Sequence, residues 1–118
     1  MTRQFNTYLL DEALVRHKET LEQERQTTLK QVQQWLETKG EHYKIYRAYI
    51  FGSLTRPHQF TQSSDIDLAV ESIKPESLFL AMTALVEATG REVDFIELSK
   101  CPFAHRIRQE GILWTKMP

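Results

Sequence analysis

The sequence predicts an α/β (α+β) fold with a long N-terminal helical extension, and three observations predict it. The first 44 residues hold seven acidic and seven basic side chains and reach no glycine until Gly40, the make-up of an uninterrupted helix. The rest of the chain alternates short aromatic and β-branched runs with stretches of helical period. Two of those runs bracket a Gly-Ser pair and an Asp-Ile-Asp triplet. Residues 1–44 are therefore expected to form the helical extension, and residues 45–118 the compact domain.

Length and charge narrow the function. A chain of 118 residues supports one domain with a modest core. Its 15 Lys and Arg against 16 Asp and Glu leave a formal net charge of -1. A general nucleic-acid coat needs a clear basic excess, so no direct binding to a nucleic-acid polymer is expected. The single cysteine, Cys101, can form no internal disulfide, which fits a reducing, cytoplasmic setting. The first residues lack a basic region followed by an apolar core, and no apolar run approaches spanning length, so neither a leader nor a membrane anchor is expected.

The first element is a helix over residues 9–39, with Asn6 or Thr7 as its cap and Lys39-Gly40 as its stop. Leu14, Leu21, Thr28 and Trp35 fall seven apart, and Leu10, Leu29, Val32 and Leu36 fill the adjoining stripe. Between Glu22 and Gln26 this seam turns polar, so the helix is expected to bend there or to project from the domain. Packing on a sheet and association with a partner or a second copy both suit such a seam.

Residues 42–51 turn aromatic and β-branched and read as the first strand. Gly52-Ser53 opens a helical turn that Pro57 cuts short, and a polar excursion leads to the second strand, Asp65 to Glu71. Lys74-Pro75-Glu76 opens a helix whose apolar face is expected to carry Leu78, Leu80, Ala81, Leu85 and Val86, with Gly90 ending it. Val93 to Leu98 is the third strand. Phe103 to Glu110 reads as a short helix, and Ile112-Leu113-Trp114 as an apolar end. Lys100, Arg106, Arg108 and Lys116 against one acid, Glu110, give this last part a local basic excess. A solvated helix face explains that excess, and so does attraction to a nucleotide tail or an acidic partner. His17, His42, His58 and His105 show no metal-ligand spacing, and Cys101 reads as a small hydrophobe.

The chemistry concentrates at the second strand. Alternation points Asp65 and Asp67 the same way while Ile66, Leu68 and Val70 turn inward. Two carboxylates this close repel each other, which a divalent cation would relieve. A glycine followed by a hydroxyl residue at a strand end can cradle phosphate, through backbone N–H groups and the Ser53 hydroxyl. Arg56 stands near enough to reach a phosphate, and Ser64 closes the excursion beside the acids. If the third strand lies beside the second, Asp94 joins Asp65 and Asp67. Phosphate on one side and an acid pair on the other suggest a nucleoside triphosphate with magnesium.

Gly52-Ser53, eleven residues (54–64), then Asp65-Ile66-Asp67, followed by Asp94 within an apolar strand, resembles the signature of the DNA polymerase beta-like nucleotidyltransferase superfamily. More narrowly it resembles the minimal nucleotidyltransferase (MNT) antitoxins that partner HEPN-domain toxins. Where the family usually has glycine after the arginine of this loop, the chain has Pro57. The resemblance covers roughly residues 45–115. It implies a palm-like mixed β-sheet flanked by helices, ATP as substrate, and Mg2+ or Mn2+ on Asp65, Asp67 and Asp94, the three catalytic carboxylates. It implies nucleotide binding by Gly52 and Ser53, with Arg56 and Ser64 as further candidates. In the antitoxin branch it implies transfer of AMP to a tyrosine hydroxyl of a HEPN ribonuclease, which silences it. Two alternatives remain at this level: an antitoxin that neutralises its toxin by docking alone, and a nucleotidyltransferase acting on a small molecule of aminoglycoside type.

Overall fold

The protein is described by a computed structural model covering residues 4–117. Its elements run α1 (Gln4–Lys39), β1 (Arg47–Phe51), β2 (Ile66–Val70), α2 (Pro75–Thr89), β3 (Val93–Glu97), α3 (Ala104–Glu110) and β4 (Ile112–Thr115). The four strands form one mixed sheet in the order β3-β2-β1-β4. β1 pairs antiparallel with both β2 and β4, whereas β2 and β3 are parallel and joined through α2. Fold class and element order agree with the reading of the sequence. Among the described residues no helix is long and apolar enough to cross a membrane.

The sheet has two unlike faces, as the two-residue period of a strand requires. Ile66, Leu68 and Val70 of β2 and Phe95 of β3 enter the main core with Val32, Trp35 and Leu36 of α1 and Ala81 and Leu85 of α2. On the opposite face Tyr49 and Ala69 pack under Ala104 and Ile107 of α3 in a smaller cluster. The second half of α1 is thus part of the domain's core.

Several boundaries differ from the sequence reading, each for a local reason. α1 starts at Gln4, so Asn6 and Thr7 lie inside the helix and do not cap it. It runs 36 residues without a break, roughly 54 Å at 1.5 Å per residue. β1 begins at Arg47 because Gly40–Tyr43 coil into a 3-10 turn ended by Lys44 in the left-handed region, φ 59°. The apolar end 112–114 is a strand, which pairs with β1 at the sheet edge. On α2 the buried arc passes through Leu78, Ala81, Met82 and Leu85, the spacing of one helical face. Leu80 and Val86 fall beside that arc and are exposed.

The polar interruption in the α1 seam does not break the helix. Arg25 sits on the core-facing stripe and is 8% exposed. Its guanidinium donates to both Glu22 carboxylate oxygens at 2.9 and 2.7 Å and to the Leu54 carbonyl at 3.0 Å. Glu22 also accepts the His58 backbone N–H at 2.9 Å. Arg25, the His58 N–H and the Gln26 amide together hold the Glu22 carboxyl far below the usual range. The pair on α1 therefore grips the Gly52–Thr55 turn and its exit from two points. From the other side Arg91 donates to the Ser64 carbonyl at 3.3 Å and stands 4.4 Å from the ring centre of buried Phe60.

N-terminal to this grip the helix overhangs: residues 8–20 are exposed, including Tyr8, Leu9, Leu10, Leu14 and Val15. Arg25→Met removes the partner of a half-buried carboxylate and the donor to the Leu54 carbonyl, so it should lower the urea midpoint clearly. Leu14→Ala should change stability by less than about 0.5 kcal/mol. Urea unfolding of both variants beside the wild type checks the contrast; equal costs would contradict this division of α1.

Candidate active site

Register brings the acids and the turn together. β1 ends at Phe51, whose partner across the antiparallel pair is Asp67. The next residue, Gly52, turns the chain with φ +77°, in the left-handed region that favours glycine. A Cβ on Gly52 would collide with the Asp67 carboxyl. Gly52 is therefore required twice, by its backbone angle and by the carboxyl lying against it. Gly52–Thr55 form a single 3-10 turn, tightened by the Thr55 hydroxyl donating to the Gly52 carbonyl at 2.8 Å. Ser53 is half-buried within it.

Asp94 lies opposite Asp67 in the parallel β2–β3 register, on the edge strand, and is exposed. Asp65 stands one residue ahead of β2, also exposed. Both carboxylates act on Asp67. Burial first, then the charge of Asp94, then that of Asp65 push the half-buried Asp67 carboxyl up from 3.8 to about 6. Two neighbouring carboxylates thus set negative charge against a half-buried third.

Among the described residues no group of three or more His, Cys, Asp or Glu side chains stands in metal-holding geometry as the side chains lie. The donor set nevertheless suits a hard divalent cation: all donors are carboxylate oxygens. Asp65 and Asp94 are exposed, and a cation among the three would offset the burial and the neighbouring charges that raise Asp67.

The remaining candidates divide. Arg56 is exposed and, with Gly52 and Thr55, lines a groove of about 560 Å³ that continues along Phe103, Arg106, Ile107 and Glu110. Ser64 is turned to the loop itself: its hydroxyl accepts the Thr61 N–H at 2.8 Å. Of the basic residues near the C-terminus, Arg108 pairs with Glu71 at 2.7 Å and Lys116 donates to the Glu37 carbonyl. Arg106 is the one that lines the groove. The sequence reading had not singled out Glu22, Arg25, Phe103 or Arg106 individually as site residues. Arg25 carried a signal, since a charge on an apolar stripe with an opposite charge three residues earlier marks a buried pair. Arg106 carried a shared one, as part of the basic excess near the C-terminus; Phe103 carried none, because only the packing of α3 on β1 sets it beside Gly52.

A glycine turn set against paired strand carboxylates suits a nucleotidyl-transferring protein. Comparison with known families agrees: the family model for polymerase beta nucleotidyltransferases matches residues 30–116, and the chain belongs to that family. Nucleotidyl transfer is the general role this domain supports. The match starts within α1, in the half that enters the core. No curated protein and no solved structure matches the chain.

The raised Asp67 pKa has a signed consequence for stability. Between about pH 4 and pH 6 the folded, metal-free chain keeps a proton that the unfolded chain has lost, so stability falls as pH rises through that window. Asp67→Asn removes the titration. In chelator, the wild type should lose more of its urea midpoint between about pH 4 and pH 7 than Asp67→Asn does. Parallel profiles would show that Asp67 titrates normally.

Proposed function

We propose that this protein transfers AMP from ATP to a tyrosine hydroxyl of a HEPN-class ribonuclease and so silences it, as the antitoxin of a toxin-antitoxin pair. The observation that carries the transfer chemistry is the Asp67 carboxyl lying against the Gly52 turn, with Asp94 beside it on the exposed edge strand. The tyrosine and the HEPN partner rest on the resemblance of Gly52-Ser53, Asp65-Ile66-Asp67 and Asp94 to the minimal nucleotidyltransferase antitoxins. The exposure of Asp94 at the sheet edge supports it, since a bulky polypeptide acceptor needs open access.

In this reading backbone N–H groups of the 52–55 turn and the Ser53 hydroxyl hold the β- and γ-phosphates, and Arg56 adds charge from the loop. Asp65, Asp67 and Asp94 hold magnesium, which when bound supplies charge neutralisation at the transferring phosphoryl group. Asp94, nearest the open edge, orients the acceptor hydroxyl and takes its proton. The tyrosyl oxygen bonds to the α-phosphorus, the bond from that phosphorus to the bridging oxygen breaks, and pyrophosphate leaves. Positioning and charge stabilisation carry the rate, as in other phosphoryl-group transfers.

Docking without chemistry is the second reading, and the exposed Tyr8, Leu9, Leu10, Leu14 and Val15 of the α1 overhang favour it. Intact-mass analysis of a co-produced HEPN partner, incubated with this protein, ATP and magnesium, separates the two. A mass step of one or more AMP units is expected, absent when Asp65→Asn and Asp67→Asn are combined. A tight complex with no mass step would establish docking alone.

A further inference from the structure

We propose that the groove between the Gly52 turn and α3 seats the base of the nucleoside triphosphate, with Phe103 as its stacking surface. This deepens the nucleotidyltransferase reading and rests on it. The groove, about 560 Å³, lies within the roughly 300–1,000 Å³ range of small-ligand clefts. It begins at Gly52, Thr55 and Arg56, where the phosphates would lie, and ends at Phe103, Arg106 and Glu110. Arg56 brings positive charge to the phosphate end, whereas at the α3 end the lining holds both a cation, Arg106, and an anion, Glu110. Arg106 has an exposed carboxylate neighbour, Glu110, at 3.4 Å.

The order of the strands gives the direction. Asp94 is on edge strand β3, Asp67 on β2, and Gly52 at the end of β1, while α3 packs over Tyr49 of β1. The acceptor must reach the α-phosphorus, and the open side is that of Asp94. The base, bonded through ribose to the same phosphate, is left the opposite side, toward α3. On that side the groove offers a large aromatic, Phe103, that is 54% exposed. An exposed ring beside a charged groove offers a base its face and asks little of its hydrogen-bonding edge. Stacking of this kind tolerates different bases, so discrimination among nucleoside triphosphates is expected to be weak.

The test uses the full chain with magnesium and two ligands, ATP and inorganic tripolyphosphate. Phe103→Ala, a change at an exposed position, should weaken ATP binding roughly tenfold and leave tripolyphosphate binding unchanged. Phe103→Trp adds a reporter, since Trp35 and Trp114 are only 6% and 8% exposed. Its fluorescence should be quenched by ATP but not by tripolyphosphate, which should still displace ATP. If the wild type binds both ligands and Phe103→Ala weakens neither or both equally, the base subsite is wrong and the nucleotidyltransferase reading stands. If the wild type binds neither ligand, both fall together.

Discussion

The site depends on one close approach, that of the Asp67 carboxyl to a backbone position with no side chain. Pairing of Phe51 with Asp67 brings the end of β1 level with the acid. The positive φ of Gly52 then turns the chain across it, and a Cβ there would meet the carboxyl. Geometry that suits anions on one side and cations on the other is thereby held within a few ångströms. The electrostatic cost is visible in Asp67, whose proton is retained to about pH 6 because burial and two neighbouring carboxylates disfavour its charge.

Such an arrangement needs support, and much of it comes from α1. Arg25 and Glu22 bind the turn at the Leu54 carbonyl and its exit at the His58 N–H. Two residues in the left-handed region outside glycine, Lys44 and His58, lie at the approaches to this assembly, one leading into β1 and one leaving the turn. Arg91, beside β3, holds the far end of the excursion through Ser64. A loop that reads as polar and irregular is thus tied to the fold from two directions. The helix that grips it also enters the core through Val32, Trp35 and Leu36, so the position of the turn is coupled to the packing of the domain.

Much of this is legible in the sequence. Gly52-Ser53 and Asp65-Ile66-Asp67 announce themselves because strand alternation and a glycine turn are local rules. Asp94 joins them only on the condition that β3 lies beside β2, which the sequence leaves open and the parallel register supplies. Strand β4 was not legible as a strand, since a three-residue apolar run after Gly111 has too little period to separate a strand from a packed tail, and its partner β1 is distant in sequence. Hydrophobicity alone places Leu80 and Val86 on the apolar face of α2, where the 3.6-residue period favours Leu78, Ala81, Met82 and Leu85. The Arg25 grip and the Phe103 groove are products of tertiary packing, which no single stretch of sequence encodes.

The central claim is that turn and carboxylates form one site, so cation and nucleotide should bind as a coupled pair. Titration of Mn2+ into the protein by calorimetry, with and without a non-hydrolysable ATP analogue and with metal binding by the analogue alone subtracted, measures that coupling. The nucleotide should tighten metal binding at least about fivefold in the wild type, and this gain should vanish in Asp67→Asn. Equal metal affinity with and without nucleotide in the wild type would contradict the claim and separate the Gly52 turn from the acids in function.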